Sequence, residues 1–210
     1  MKVYFVRHGQ SILNAAHTHQ HPDTPLSSLG KEQAKFVASR FKSIPIEKIY
    51  SSDLMRAKQT AEAIAEEIKK PLVLSELLRE RKRPTEVLGM EYTNSKAKKI
   101  TNQIEENLED KNWHYSDEEN FSDLVMRTQD FLRVLKKEAA MDSENIAVVS
   151  HGAMLKLIIL SMILRDSLSP KIFQSFNENV RVTNTGITMM EFNNGNWRLL
   201  TFNDYAHLGE

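Results

Sequence analysis

Short apolar runs and amphipathic stretches alternate along most of the chain. Val3, Tyr4, Phe5 and Val6 are β-branched or aromatic and too few for a helix, so residues 3–6 predict a buried strand. Residues 48–51, 71–74 and 146–150 carry similar strand signals. Between these runs, apolar positions return at helical spacing. Ala34, Val37, Ala38 and Phe41 form one stripe, and Leu54, Ala57, Ala61, Ile64, Ala65 and Ile68 form another. The clearest stripe is Phe121, Leu124, Val125, Thr128, Phe131, Leu132 and Leu135, with Ser122 as its expected N-cap and Phe121 stapled to Met126. Strands that alternate with helices predict parallel pairing. The C-terminal part differs, because residues 187–192 and 197–202 flank Asn193-Asn194-Gly195-Asn196, a strong hairpin signal. The expected fold is α/β, a three-layer α/β/α arrangement with a mostly parallel central sheet and an antiparallel C-terminal edge.

A length of 210 residues fits one domain over residues 1–210. Residues 76–120 break the strand–helix rhythm. They are polar, with a basic run of Arg79, Arg81, Lys82 and Arg83 around Glu80, and are expected to leave the sheet and lie over an active site. There are no cysteines, which excludes a disulfide scaffold, thiolate metal ligands and a cysteine nucleophile. Lys plus Arg equals Asp plus Glu at 28 each, so no global field pulls the chain toward nucleic acid or an anionic membrane. The longest apolar run, residues 153–164, is interrupted by Lys156 and is too short to span a bilayer. It is apolar enough for core or for a contact between two copies, which leaves a homodimer among the expected assemblies. The N-terminus lacks a signal-peptide core, so the expected location is cytoplasmic.

Any anion chemistry must therefore come from a local cluster. In open α/β sheets, ligands bind beyond the carboxyl ends of the strands. Two strand candidates end in a histidine followed by glycine: residues 3–6 run into Arg7-His8-Gly9, and residues 146–150 into His151-Gly152. Glycine in that place lets a ligand approach the backbone. A third strand, ending at Ser51-Ser52, feeds a helix with Arg56 in its first turns. If these ends are neighbours, two arginines and two histidines converge. Arginine forks suit phosphoryl oxygens, and a neutral histidine is a competent nucleophile toward phosphorus. A competing cluster, His17, His19 and His21, alternates as zinc ligands do, but Gln20 stands where a metallo-hydrolase pattern has Asp. A GxxxxGK[ST] phosphate loop is missing from the sequence.

The chain resembles the histidine phosphatase superfamily, the phosphoglycerate mutase-like proteins. The residues that carry the resemblance are Arg7-His8-Gly9-Gln10-Ser11 with Asn14, Asp23-Thr24-Pro25-Leu26-Ser27 with Gly30, and Ser51-Ser52-Asp53-Leu54-Met55-Arg56-Ala57. Further on they are Leu78-Arg79-Glu80, Phe121 with Arg127, Val149-Ser150-His151-Gly152, and Asn184-Thr185-Gly186 near the end. The resemblance implies that His8 attacks phosphorus and that Arg7, Arg56 and His151 hold the non-bridging oxygens. It adds Asn14 and Gly152 to the substrate-binding set and makes Glu80 the acid that protonates the leaving oxygen, with Glu76 and Glu86 as nearby alternatives. His8 needs one unprotonated ring nitrogen, so its other nitrogen is expected to donate to a carbonyl, that of Gly9. No metal and no cofactor are implied. The expected activity is hydrolysis of a phosphomonoester of a small metabolite through a phosphohistidine. Mutase-type phosphoryl transfer and non-catalytic phosphate binding are the alternatives. The chain reads Glu80-Arg81-Lys82-Arg83-Pro84 where glycolytic mutases of the family continue ERHYG, a departure that weighs against the mutase.

Overall fold

The computed structural model describes residues 1–141 and 145–209. Among these, six strands form one sheet in the order β3-β2-β4-β1-β5-β6. β1 (Lys2–Arg7), β2 (Lys48–Ser51), β3 (Leu72–Leu74) and β4 (Asn145–Ser150) are mutually parallel. β5 (Ile187–Asn193) and β6 (Asn196–Asp204) run antiparallel, as the Asn-Gly turn predicts. Asn194 and Gly195 both have positive φ, 49° and 76°, the backbone that a two-residue type I′ turn requires.

The two-residue period of the central strand β4 assigns its side chains to opposite layers. Ile146 and Val148 join one core cluster, with Phe131, Leu135 and Leu155. Ala147 and Val149 join the other, with Val37, Phe41, Ala57 and Ile64. Helices α2 (Ser28–Phe41) and α3 (Met55–Ile68) therefore cover one face, and α5 (Phe121–Ala140) and α6 (Gly152–Leu164) the other. The apolar run after Gly152 is spent on core: residues 154–160 and Met162 in α6 are buried. No helix of the described residues is long and apolar enough to cross a membrane.

The start of α5 differs from the sequence expectation. Asn120, not Ser122, is the N-cap, in a reciprocal capping box with Asp123. Asn120 Oδ1 accepts from the Asp123 amide at 3.0 Å, and Asp123 Oδ2 accepts from the Asn120 amide at 3.0 Å. That start puts the buried Leu124 one turn in and turns Met126 to solvent at 60% exposure, so Phe121 and Met126 form no staple.

The polar segment after β3 holds 3₁₀ turns at Glu76–Leu78 and Thr85–Val87 and the helix α4 (Ser95–Glu106). It has its own small apolar cluster of Val87, Ala97, Ile100 and Ile104. A short helix α1 (Ile12–Ala15) follows β1, and α7 (Pro170–Asn179) follows α6.

Candidate active site

The parallel order places the carboxyl ends of β1, β4 and β2 side by side, with Arg7 level with Ser150 and Ser51 level with Val149. Their following residues therefore meet. His8 and His151 are both buried, with ring centroids 5.0 Å apart. Arg56, also buried, reaches the same place from the first turn of α3. All four residues of the expected quartet, Arg7, His8, Arg56 and His151, are brought together.

His8 is fixed from several directions. Its Nδ1 lies 2.7 Å from the Gly9 carbonyl, so the protonated nitrogen donates there and Nε2 is left as the free lone pair. The Gly9 amide donates to Thr60 Oγ1 at 3.0 Å, and that hydroxyl donates to the Arg56 carbonyl at 2.8 Å, tying the loop to α3. The His8 carbonyl accepts from Asn184 Nδ2 at 2.8 Å. Thr185, next in the chain, donates its amide to the Arg7 carbonyl at 2.9 Å. Thr185 is fully buried with φ of 59°, an unfavourable conformation for a β-branched residue. Its hydroxyl holds it by donating to the Asn184 carbonyl at 2.7 Å and accepting from His207 Nε2 at 3.1 Å.

Gly9 also has a packing role. A Cβ there would sit 2.5 Å from the carbonyl oxygen of Gly30 in α2. A Cβ on Gly30 would in turn sit 1.9 Å from the Gln10 carbonyl oxygen. The two glycines let backbone meet backbone. At Gly152 a methyl would stand in ordinary contact, 3.6 Å from Arg7 Nε and 4.0 Å from Glu80 Oε2.

Burial, followed by the positive fields of Arg56 and Arg7, holds the His8 pKa well below the usual imidazole range. Burial, Arg56, His8 and Arg7 do the same to His151. Both rings are neutral at pH 7. His151 Nε2 lies 2.9 Å from Ser52 Oγ, which already accepts from the Leu54 amide. With the ring neutral, the tautomer in which Ser52 Oγ donates to Nε2 leaves Nδ1–H as a free donor. Burial lowers the Arg56 pKa to about 10, which still leaves a full charge at neutral pH. Arg7 donates through Nη1 to the Val182 carbonyl at 2.6 Å, and Arg56 through Nη1 to the His21 carbonyl at 3.2 Å. Their Nε groups, His151 Nδ1 and Asn14 Oδ1 are buried without a protein partner.

Glu80 lies at the amino end of α6. Its carboxylate accepts from the amides of Arg81 (3.0 Å), Ala153 (3.3 Å) and Met154 (3.1 Å), so it caps a helix whose own N-cap residue, His151, supplies no side-chain bond. The alternatives lie elsewhere. Glu76 pairs with Arg79 and is 75% exposed, and Glu86 pairs with Lys96. Arg127, one of the residues that carry the family resemblance, has a role that only the structure shows. It grips Glu119 with two contacts of 2.7 Å and donates to the Leu77, Arg79 and Glu80 carbonyls at 3.1, 2.7 and 3.4 Å. It thereby fixes the backbone that carries Glu80. The sequence signal for Ser52, Thr60 and Asn184 was slight, since a hydroxyl or amide on its own is common anywhere.

A cavity of about 1250 Å³ has Arg56, Glu80 and Ala153 in its wall; Arg56 is the member of the quartet that lines it. Much of its lining comes from the polar segment after β3. His8 and His151 lie beneath the surface and are not part of the lining. The alternating histidines do not converge. His19 packs edge-on against Tyr92 at 4.8 Å, His21 Nε2 lies beside Gly89, and His17 occupies the left-handed region. Among the described residues, no three His, Asp or Glu side chains are grouped to hold a metal ion.

The model of the histidine phosphatase superfamily (branch 1) matches residues 3–205. A probable phosphoglycerate mutase GpmB from Photorhabdus laumondii is 46% identical over 81 residues, and the match spans 38% of this chain and 38% of that curated relative's length. A phosphoserine phosphatase mutant from Entamoeba histolytica, solved with phosphoserine, is 28% identical over 99% of this chain and 98% of its own, with a TM-score of 0.78. Bacillus stearothermophilus YhfR superimposes with a TM-score of 0.81 over 99% and 98% of the two chains at 20% identity, which speaks for the fold.

Proposed function

Because the chain belongs to the histidine phosphatase superfamily, we propose that it hydrolyses a phosphomonoester of a small metabolite without a metal ion, through a phosphohistidine at His8. The observation that carries this reading is the set of buried, unpartnered groups around His8: the Nε donors of Arg7 and Arg56, and Nδ1 of His151. Buried donors without partners are rare in native proteins, and a phosphoryl group would complete all three.

His8 Nε2 attacks phosphorus in line, and the P–O bond to the leaving group breaks. Arg7, Arg56 and His151 hold the three non-bridging oxygens as charge redistributes, which is electrostatic stabilisation by preorganised donors. Asn14 adds a contact from α1, and Gly152 leaves room between Arg7 and Glu80. Glu80 donates a proton to the leaving oxygen, then takes one from the water that attacks the phosphohistidine and releases phosphate. Arg127 is a positioning residue that acts through the backbone of Glu80.

The test is hydrolysis of p-nitrophenyl phosphate with EDTA present. The expected result is turnover by the wild type and none by His8→Ala; equal rates reject His8 as the nucleophile. The relative named as a mutase supplies a second reading, phosphoryl transfer between positions of one substrate. Incubation with 3-phosphoglycerate separates the two: release of phosphate with no 2-phosphoglycerate favours the hydrolase, and isomerisation favours the mutase.

A further inference from the structure

The end of β1 is held by one short stretch, residues 182–186, which is neither helix nor strand. The Arg7 amide donates to the Gly186 carbonyl at 3.3 Å, and the Arg7 carbonyl accepts from the Thr185 amide at 2.9 Å. The His8 carbonyl accepts from Asn184 Nδ2 at 2.8 Å, and Arg7 Nη1 donates to the Val182 carbonyl at 2.6 Å. This stretch therefore aims both the histidine and the arginine beside it.

Its conformation is costly. Thr185 is fully buried at a φ of 59°, a region that glycine enters freely and a β-branched residue does not. Such a backbone persists only where its surroundings hold it. The single hydroxyl proton of Thr185 goes to the Asn184 carbonyl at 2.7 Å, so the oxygen can only accept from His207 Nε2, at 3.1 Å. His207 Nδ1 is then the bare nitrogen, buried without a protein partner. Burial, followed by the positive field of Arg40 and opposed by Asp204, holds the His207 pKa below the usual imidazole range, which keeps the ring in this neutral form.

His207 is itself anchored. It lies in the 3₁₀ turn Ala206–Leu208, after β6. The Ala206 amide donates to Asp204 Oδ1 at 3.0 Å, and Asp204 pairs with Arg40 in the last turn of α2. Asn203 Oδ1 accepts from the Thr183 amide at 2.7 Å and so holds the other side of the same stretch. A line of contacts runs from α2 through His207 and Thr185 to the backbone of Arg7 and His8. Arg40, Asp204, His207 and Thr185 all lie outside the lining of the cavity.

We infer that His207 is a positioning residue for turnover: through the Thr185 hydroxyl it holds the left-handed turn that fixes the backbone of Arg7 and His8, and with it the line of attack of His8 Nε2. This rests on the phosphohistidine reading above and adds to it a group remote from the cavity.

Steady-state hydrolysis of p-nitrophenyl phosphate tests it, at a temperature where circular dichroism shows each variant folded. His207→Ala should lower kcat at least about tenfold with KM within about threefold of wild type, because Arg56 and His151 still hold the phosphoryl group while the nucleophile is misaimed. His207→Gln carries an N–H where Nε2 was and should recover most of that kcat. A histidine that only supports the fold would lower the unfolding midpoint and leave kcat of the folded protein unchanged. Glycine adopts the turn without a hydroxyl, so in a Thr185→Gly background His207→Ala should add less than about twofold to the loss that Thr185→Gly itself shows. Thr185→Val keeps the shape, removes the hydroxyl, and should lose kcat as His207→Ala does. Wild-type kcat in folded His207→Ala, or a tenfold loss that persists in the Thr185→Gly background, overturns the inference. Should His207→Ala fail to fold, wild-type kcat in Thr185→Val overturns it instead. Failure of the phosphohistidine reading shows separately, as p-nitrophenyl phosphate hydrolysis that survives His8→Ala.

Discussion

Arg127→Leu separates positioning from chemistry at this site. The substitution deletes two 2.7 Å contacts to Glu119 and the donations to the Leu77 and Arg79 carbonyls. Glu119 then keeps only the Lys82 amide, at 2.9 Å, as a partner for its carboxylate. Removing one partner of a buried ion pair costs about 3–5 kcal/mol. The two side chains here retain 15% and 21% exposure, so solvent screening places the loss near the low end, about 3 kcal/mol. Urea unfolding reads that number directly. Glu119→Gln in the same background should recover about 1 kcal/mol, because it removes the stranded charge. The kinetic consequence is more specific. Freed carbonyls let the Glu80 backbone shift, so the step that needs its proton suffers most. Phenyl phosphate has a more basic leaving group than p-nitrophenyl phosphate and depends more on that proton. The variant should therefore lose about tenfold more kcat on phenyl phosphate than on p-nitrophenyl phosphate. Equal losses on the two substrates, or a stability change below about 1 kcal/mol, would refute the reasoning.

Other expectations follow from the same geometry. Glu80→Gln should show the same leaving-group dependence as Arg127→Leu, with a larger loss of about 10²-fold or more on phenyl phosphate in steady-state assays; a uniform loss would move the acid elsewhere. Gly30→Ala forces a methyl to 1.9 Å from the Gln10 carbonyl oxygen, so chemical unfolding should show at least about 1–3 kcal/mol of destabilisation, with weaker phosphate binding because the neighbouring His8 loop shifts; wild-type stability would mean that the contact relaxes without cost. Stability should also fall on acidification, because His8 and His151 are kept neutral when folded, with pKa values well below 6.5. Unfolded, they titrate near ~6.5, so the unfolded chain binds more protons below that pH, and each ring adds up to about 1.4 kcal/mol per pH unit of slope, absent above it. Denaturation of His8→Asn from pH 7 to pH 5 should show a slope shallower by up to that amount; an unchanged slope would contradict burial of a neutral ring at position 8.

What could be read from the sequence followed from how far each signal reaches. The strands at residues 3–6, 48–51, 71–74 and 146–150 all exist, within a residue or so at their ends; the first, second and fourth are short, largely buried apolar runs, while β3 is a partly exposed edge. The hairpin was equally readable, since an Asn-Gly pair adopts positive φ at little cost. The start of α5 was misplaced because a capping box depends on a reciprocal pair. Asn120 with Asp123 outcompetes Ser122, which has no such partner three residues on. The arginines and histidines could be gathered from sequence because each follows a strand end, and parallel order brings strand ends together. The contacts that brace the site could not. Thr60, Asn184 and Arg127 act across 51, 176 and 47–50 residues of chain on backbone atoms, which carry no side-chain signature.

The same distinction bears on what the site selects. On the proposed reading, the phosphoryl end is built by strand-end residues that the fold itself positions. The other end is built by a polar segment with a small core of its own, Val87, Ala97, Ile100 and Ile104, whose sequence can change without disturbing the sheet. On that reading, rate and selectivity rest on different parts of the chain. Substitutions at Arg7, Arg56 or His151 should lower turnover on every substrate alike. Substitutions on the wall that holds Arg81, Arg83 and Lys98 should change the ranking of substrates while the ratio of p-nitrophenyl to phenyl phosphate turnover, which reports Glu80, stays fixed. A wall variant that altered that ratio would show the two ends to be mechanically coupled, and the separation of roles would fail.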